Sequence, residues 1–219
     1  HHHIGLAFGI LGNIISFFVY FSPMPTFWRI YKEKSTMEFD SLPYAVALFS
    51  AMLWMYYAFL KPHSFLLITI NSFGCVIQTF YLTLYFIYAS RPARRQCLKI
   101  LGIMNVGALG LILGVSYICF EGHIRVQVVG WACVAVSVGV FAAPLRIVIH
   151  VVKTRSAEFM PFYLSFFLTL SAVMWFGYGI FQHDLCIAIP NVVGFALGLV
   201  QMLLFLAYRE AKTNEKEGK

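Results

Sequence analysis

The chain has 219 residues, 60% of them hydrophobic and 11% charged, with a formal net charge of +7. Ordinary soluble domains carry about 25% charged residues, so there is too little polar surface to solvate a globule of this size and a soluble fold is excluded. The positive balance does not point to nucleic acid, because the loops of a membrane protein account for it.

His1 to His3 read as a tag remnant and are set aside. Seven apolar segments follow: Ile4–Phe21, Leu42–Leu60, Phe65–Ala89, Leu98–Phe120, Val126–Ile149, Pro161–Phe181 and Leu185–Ala207. Helices of about 17–25 residues cross a bilayer core, whereas barrel strands need about 10. Lipid offers a backbone no hydrogen-bond partner, so each segment is expected to be a helix. The first is long enough to remain a span rather than a cleaved signal. The five cysteines form no CxxC pair and read as small buried apolar residues.

Fourteen of the sixteen Lys and Arg residues fall on one side of these spans. Arg29, Lys32 and Lys34 follow the first span, and Arg91, Arg94, Arg95 and Lys99 follow the third. Arg146, Lys153 and Arg155 close the fifth, and four more lie in the tail. Only Lys61 and Arg125 face the other side. The positive-inside bias makes the basic side cytosolic, with the N-terminus outside and the C-terminus inside.

The first third of the chain recurs 120 or 121 residues later. Gly9 returns as Gly130, Ser16 as Ser137, Pro23 as Pro144, and Glu38-Phe39 as Glu158-Phe159. Ser50, Trp54, Asn71 and Gly74 return as Ser171, Trp175, Asn191 and Gly194. The repeat covers spans 1–3 and 5–7, and the fourth span gives both copies one orientation. The expected fold is an all-α membrane protein, two parallel three-helix bundles joined by a linker helix, an arrangement found in transporters. The expected divisions are 4–89 for the first bundle, 90–125 for the linker, 126–207 for the second bundle and 208–219 for a charged tail. Gly102, Gly107, Gly110 and Gly114 of the linker helix are expected to support close helix packing.

Ser50 and Trp54 stand four apart, on one face of their helix, as do Ser171 and Trp175. Both pairs lie near mid-span, away from the end positions of an aromatic belt. Each Trp is either a packing residue or one of two flat walls for the C–H face of a sugar ring. Asn71 and Asn191 are amides inside apolar runs. They either fix helix packing or act as donor and acceptor for the hydroxyls of a neutral ligand. Ser16 and Ser137 add hydroxyls that either bond their own helix or meet the ligand.

Pro23, Pro43, Pro144 and Pro161 stand at the basic ends of spans 1, 2, 5 and 6. Proline ends or kinks a helix, so they are either terminators or a ring of hinges. Asp184 and Tyr57 lie near the opposite surface, either solvated or paired as a latch. No acid or base stands at mid-span, which favours uncoupled movement of a neutral solute over ion coupling. No metal, cofactor or enzymatic chemistry is expected.

The strings KSTMEFDSLPY, SAMLW, TINSFG, FAAPL, TRSAEFMPF, SAVMW and IPNVVG resemble the plant SWEET sugar facilitators over essentially the whole chain. The resemblance implies bidirectional, energy-independent uniport of sucrose or glucose by alternating access. It implies a central pocket with Trp54, Trp175, Asn71 and Asn191, a tetrad of Pro23, Pro43, Pro144 and Pro161, and homo-oligomers in a lipid bilayer, most simply the plasma membrane. Ser16, Val19, Ser50, Ser137, Val140 and Ser171 fall at the size-selecting positions. Their small side chains fit the sucrose-carrying clade. Gly139 departs from the family pattern, and Pro190 beside Asn191 has no counterpart beside Asn71. The rival readings are a proton-coupled exporter on the same fold, which would need an embedded acid, and a seven-helix receptor, which would need no matched triplets.

Overall fold

The computed structural model describes residues 2–157 and 162–218, so Pro161 and the repeated Glu158-Phe159 lie outside the described residues. Among the described residues all regular elements are helical, and seven helical stretches have the length and hydropathy of membrane spans. The first span is α1 (His2–Val19) and α2 (Met24–Glu33), broken between them. Next come α3 (Leu42–Leu60) and α4 (Phe65–Tyr88). The fourth span is α5 (Arg91–Ile100), a π-helical stretch Leu101–Ala108, and α6 (Leu109–Cys119). The fifth is α7 (Gly122–Val140) and α8 (Ala142–Thr154), also broken. The last two are α9 (Phe162–Phe181) and α10 (Leu185–Glu217).

The fourth span starts seven residues before its apolar run. Ser90 Oγ accepts from the Ala93 N–H and Pro92 stands in the first turn, so the start signal precedes the lipid-soluble segment. The two breaks recur at the same place in the repeat. At the first, Pro23 caps α2 and the Met24 N–H donates to Phe21 O, three residues back. At the second, the Phe141 N–H donates to Val138 O, again three back. Pro144 then lies in the first turn of α8, and Pro43 in the first turn of α3. Those two positions have no helical N–H partner to lose.

The chain forms two compact units. One holds the residues up to Val19 and those from Ser137 onward; the other holds Tyr20–Val136. The units cut across the sequence triplets. A duplication relates residues by descent, whereas compactness follows packing, and each broken span changes unit near its break. In the first unit α1 packs on α9, and α10 packs on α8 and α9. Gly5, Gly9 and Gly12 form the buried stripe of α1. Small residues at this spacing let two helix backbones approach. In the second unit α3 packs on α4, and α2 on α4. Its core is aromatic: the rings of Phe27 and Tyr81 stack with centroids 4.7 Å apart, and Tyr44 lies edge-on to Phe27 at 4.9 Å. Such pairs add about 0.5–1.5 kcal/mol beyond their burial.

The linker glycines do not behave as expected. No atom lies near a Cβ built on Gly102, Gly110 or Gly114, and at Gly107 the nearest is the carbonyl of Gly102. They therefore do not mediate close helix packing among the described residues. Ile103, Val106, Leu111 and Ile118 of the same span are exposed, so much of its surface is left to lipid.

Candidate functional site

Each copy of the repeat builds the same small constellation. The ring of Trp54 meets Tyr57 edge-on, with centroids 5.6 Å apart at 86°. The ring of Trp175 meets Tyr178 edge-on, 5.4 Å apart at 85°. The tyrosines are both 2% exposed, and each fixes its indole from one turn further along the helix. The amides match as well. Asn71 Nδ2 donates to the Leu67 carbonyl at 2.9 Å, and Asn191 Nδ2 to the Ile187 carbonyl at 2.7 Å. One N–H of each carboxamide is thus held by its own helix. That leaves the second N–H and the carbonyl oxygen of each, neither with a hydrogen bond among the described residues, to address a ligand.

The first unit brings three of the expected residues together. Ser16 and Ser171 share a hydrogen bond of 2.9 Å, and Trp175 Nε1 donates to Ser16 Oγ at 3.0 Å. The indole lies flat on Gly12, where a built Cβ would stand 2.9 Å from a ring carbon. Trp175 is 8% exposed. Its polar edge is satisfied, so it is a positioned wall. At the position of Gly12 the second copy has Cys133, whose thiol lies 3.7 Å from the Leu53 carbonyl and joins α7 to α3 in the other unit. All five cysteines are free thiols.

Val19 and Val140 are half-buried and end α1 and α7, immediately before the two breaks. Ser50 and Ser137 are half-buried too. Asp184 is 4% exposed and caps α10, its Oδ1 accepting from the N–H groups of Cys186 at 2.9 Å and Ile187 at 3.3 Å. Pro190 lies inside α10, which continues through it.

Sequence reasoning missed the residues that hold the breaks. Because Met24 bonds three residues back, the Tyr20 carbonyl has lost its helical donor, and Tyr81 Oη donates to it at 2.6 Å. The matching residue of the second copy, 120 later, is Gln201. Its Nε2 reaches the Pro144 carbonyl at 3.4 Å, while its Oε1 accepts from Ser165 at 3.0 Å. The two braces differ in residue type, so a search for identical repeats passes over them. Tyr81 is fully buried. Replacing Tyr81 with Phe leaves the Tyr20 carbonyl unpaired and is expected to destabilise the protein by about 1–3 kcal/mol. A lowered apparent melting temperature in detergent, with unchanged helicity, is the check.

The family described as "Sugar efflux transporter for intercellular exchange" matches residues 6–93 and 127–213. The bidirectional sugar transporter N3 of Medicago truncatula is 60% identical over 100% of this chain and 82% of its own length. The bidirectional sugar transporter SWEET15 of Oryza sativa subsp. indica is 56% identical over 94% of this chain, which spans 65% of that relative. SWEET11 of Arabidopsis thaliana, also a bidirectional sugar transporter by name, is 51% identical over 97% of this chain and 73% of its own. A solved structure of a eukaryotic SWEET transporter matches with a TM-score of 0.88 and 34% identity, over 94% of this chain and 97% of the other.

Proposed function

The chain belongs to the SWEET family, a family of membrane transporters rather than enzymes, and on that premise we propose that it is a bidirectional, uncoupled carrier of sucrose or glucose. The two sequence triplets, 4–89 and 126–207, each contribute one half-site. Trp54 and Trp175 offer apolar walls to the C–H faces of the sugar. Asn71 and Asn191, with Ser16, Ser50, Ser137 and Ser171, replace the hydrogen bonds that sugar hydroxyls give up on leaving water. Val19 and Val140 limit the size of the ligand. The chain rocks at its prolines, Pro23, Pro43, Pro144 and Pro161, so that the site opens to one side at a time. Tyr57 and Asp184 lie toward the outer side, where a closed gate forms. The N-terminus is outside, the C-terminus cytosolic, the membrane the plasma membrane and the working form a homo-oligomer.

One observation carries this reading: the indole–tyrosine angle and the carboxamide–carbonyl bond recur at nearly equal values in both copies. Matched geometry at matched sequence positions suits a ligand held between two equivalent surfaces. Uncoupled movement is supported by the acids. Asp184 is the one acid that is buried among the described residues, and its carboxylate caps a helix. Radiolabelled sugar flux into liposomes tests the proposal. Flux is expected down a sugar gradient alone and unchanged by an imposed pH gradient; flux that requires the pH gradient sinks it. Competition between glucose and sucrose in the same vesicles identifies the preferred sugar.

A further inference from the structure

A groove with a volume of about 520 Å³ runs between the start of α3 and the α5–π-helical stretch of the fourth span, wholly within the second unit. Arg95, Gln96 and Lys99 line one end, and Leu42, Ile103 and Met104 line the rest. Arg95 and Lys99 are four residues apart on one helical face, both exposed. Like charges at this spacing repel, and no ion pair relieves them among the described residues. Their neighbour Arg94 is already engaged: its Nε donates to the Phe86 carbonyl and its NH2 group to the Ile87 carbonyl, both at 2.8 Å. The two unrelieved cations therefore flank a slot whose polarity falls with depth along the span.

We infer that this groove binds one anionic phospholipid, with the phosphate between Arg95 and Lys99, Gln96 donating to the headgroup, and an acyl chain along Ile103 and Met104. A free phosphate would use only the basic end, and a sugar carries no charge for it. A phospholipid alone complements both ends, because its charge sits at the interface and its chain runs inward from it. The basic end of the spans is also where the charge bias sets the cytosolic leaflet, which carries the anionic lipids. Arginine and lysine together give charge-assisted hydrogen bonds to the phosphate oxygens. The inference does not depend on which solute the protein carries.

The test is a binding titration of the purified full chain in neutral detergent with fluorescent phosphatidylserine, against fluorescent phosphatidylcholine of the same chain length. The wild type is expected to prefer phosphatidylserine by about tenfold or more. The double variant Arg95→Gln/Lys99→Gln is expected to lose most of that preference. Arg91→Gln, an exposed cation on the same helix outside the groove, is expected to keep it. The charge-preserving exchange Arg95→Lys/Lys99→Arg controls for folding and is expected to retain binding. Inorganic phosphate at millimolar concentration is expected to compete weakly. No preference in the wild type, equal losses from Arg91→Gln and the double variant, or full displacement by inorganic phosphate each overturns the assignment.

Discussion

Replacing Asn191 with alanine is expected to abolish sugar uptake while leaving the amount of protein at the cell surface unchanged, and Asn71→Ala is expected to do the same. The fold loses little by either change. Each carboxamide bonds only a carbonyl of its own helix, four residues back, at 2.7 Å for Asn191 and 2.9 Å for Asn71. Alanine is the best helix former, so the helix tolerates the exchange. What goes is the free donor and acceptor of each amide. A sugar hydroxyl stripped of water and left unpaired costs about 1–3 kcal/mol, and each carboxamide answers more than one hydroxyl. Losses of that size at a half-site reduce flux by about tenfold or more. Asn191→Asp keeps the shape and an acceptor but removes the donor, so it is expected to fail as well. Wild-type flux in both alanine variants would remove the site assignment. Uptake and surface biotinylation of the same cells measure the two quantities.

The second large effect lies in the packing of α9. Gly179→Ala is expected to destabilise the protein by about 3 kcal/mol or more, and Gly177→Ala by about 1 kcal/mol. A Cβ on Gly179 would stand 2.9 Å from the backbone nitrogen of Ala188 and 3.1 Å from the Asp184 carbonyl. Those atoms belong to the first turn of α10, which the Asp184 carboxylate fixes through two backbone N–H groups. They cannot withdraw without undoing the cap. A Cβ on Gly177 would stand 2.7–2.8 Å from ring carbons of Phe8. A side chain has rotamers to change, and a backbone turn does not. Apparent melting temperatures followed by tryptophan fluorescence rank the pair. An equal or reversed order would show that the start of α10 gives way more easily than its hydrogen bonds imply.

The membrane spans were legible because lipid imposes length and composition on any helix that crosses it. The Trp and Asn pairs were legible because a duplicated segment keeps its residue types, and their local geometry is as alike as their identities. Residues that carry the same task with different chemistry left no such mark. Tyr81 reaches the Tyr20 carbonyl at a helix break by a phenol, Gln201 reaches the Pro144 carbonyl in the first turn of α8 by an amide, and identity matching does not join them. Tyr57 and Tyr178 did repeat, yet their use against the indoles depends on rotamers that sequence does not state. The glycines drew attention in the wrong helix. Three in the linker span meet nothing and the fourth, Gly107, meets only a carbonyl of its own span, whereas Gly5 and Gly12 of α1 lie against Phe181 and Trp175. The small-xxx-small spacing of Gly5 and Gly9 was the available signal. Asp184, in the turn between α9 and α10, offered no hint from its position that it was buried as a cap.

The passage of both broken spans from one unit to the other bears on how the protein is made. A cut between Cys119 and Gly122 falls outside every helix, yet neither fragment then owns a complete unit: the N-terminal piece lacks everything from Ser137 on that α1 packs against, and the C-terminal piece lacks α1 itself. Neither fragment is expected to reach its native packing by itself, and co-expressed fragments are expected to do so only together.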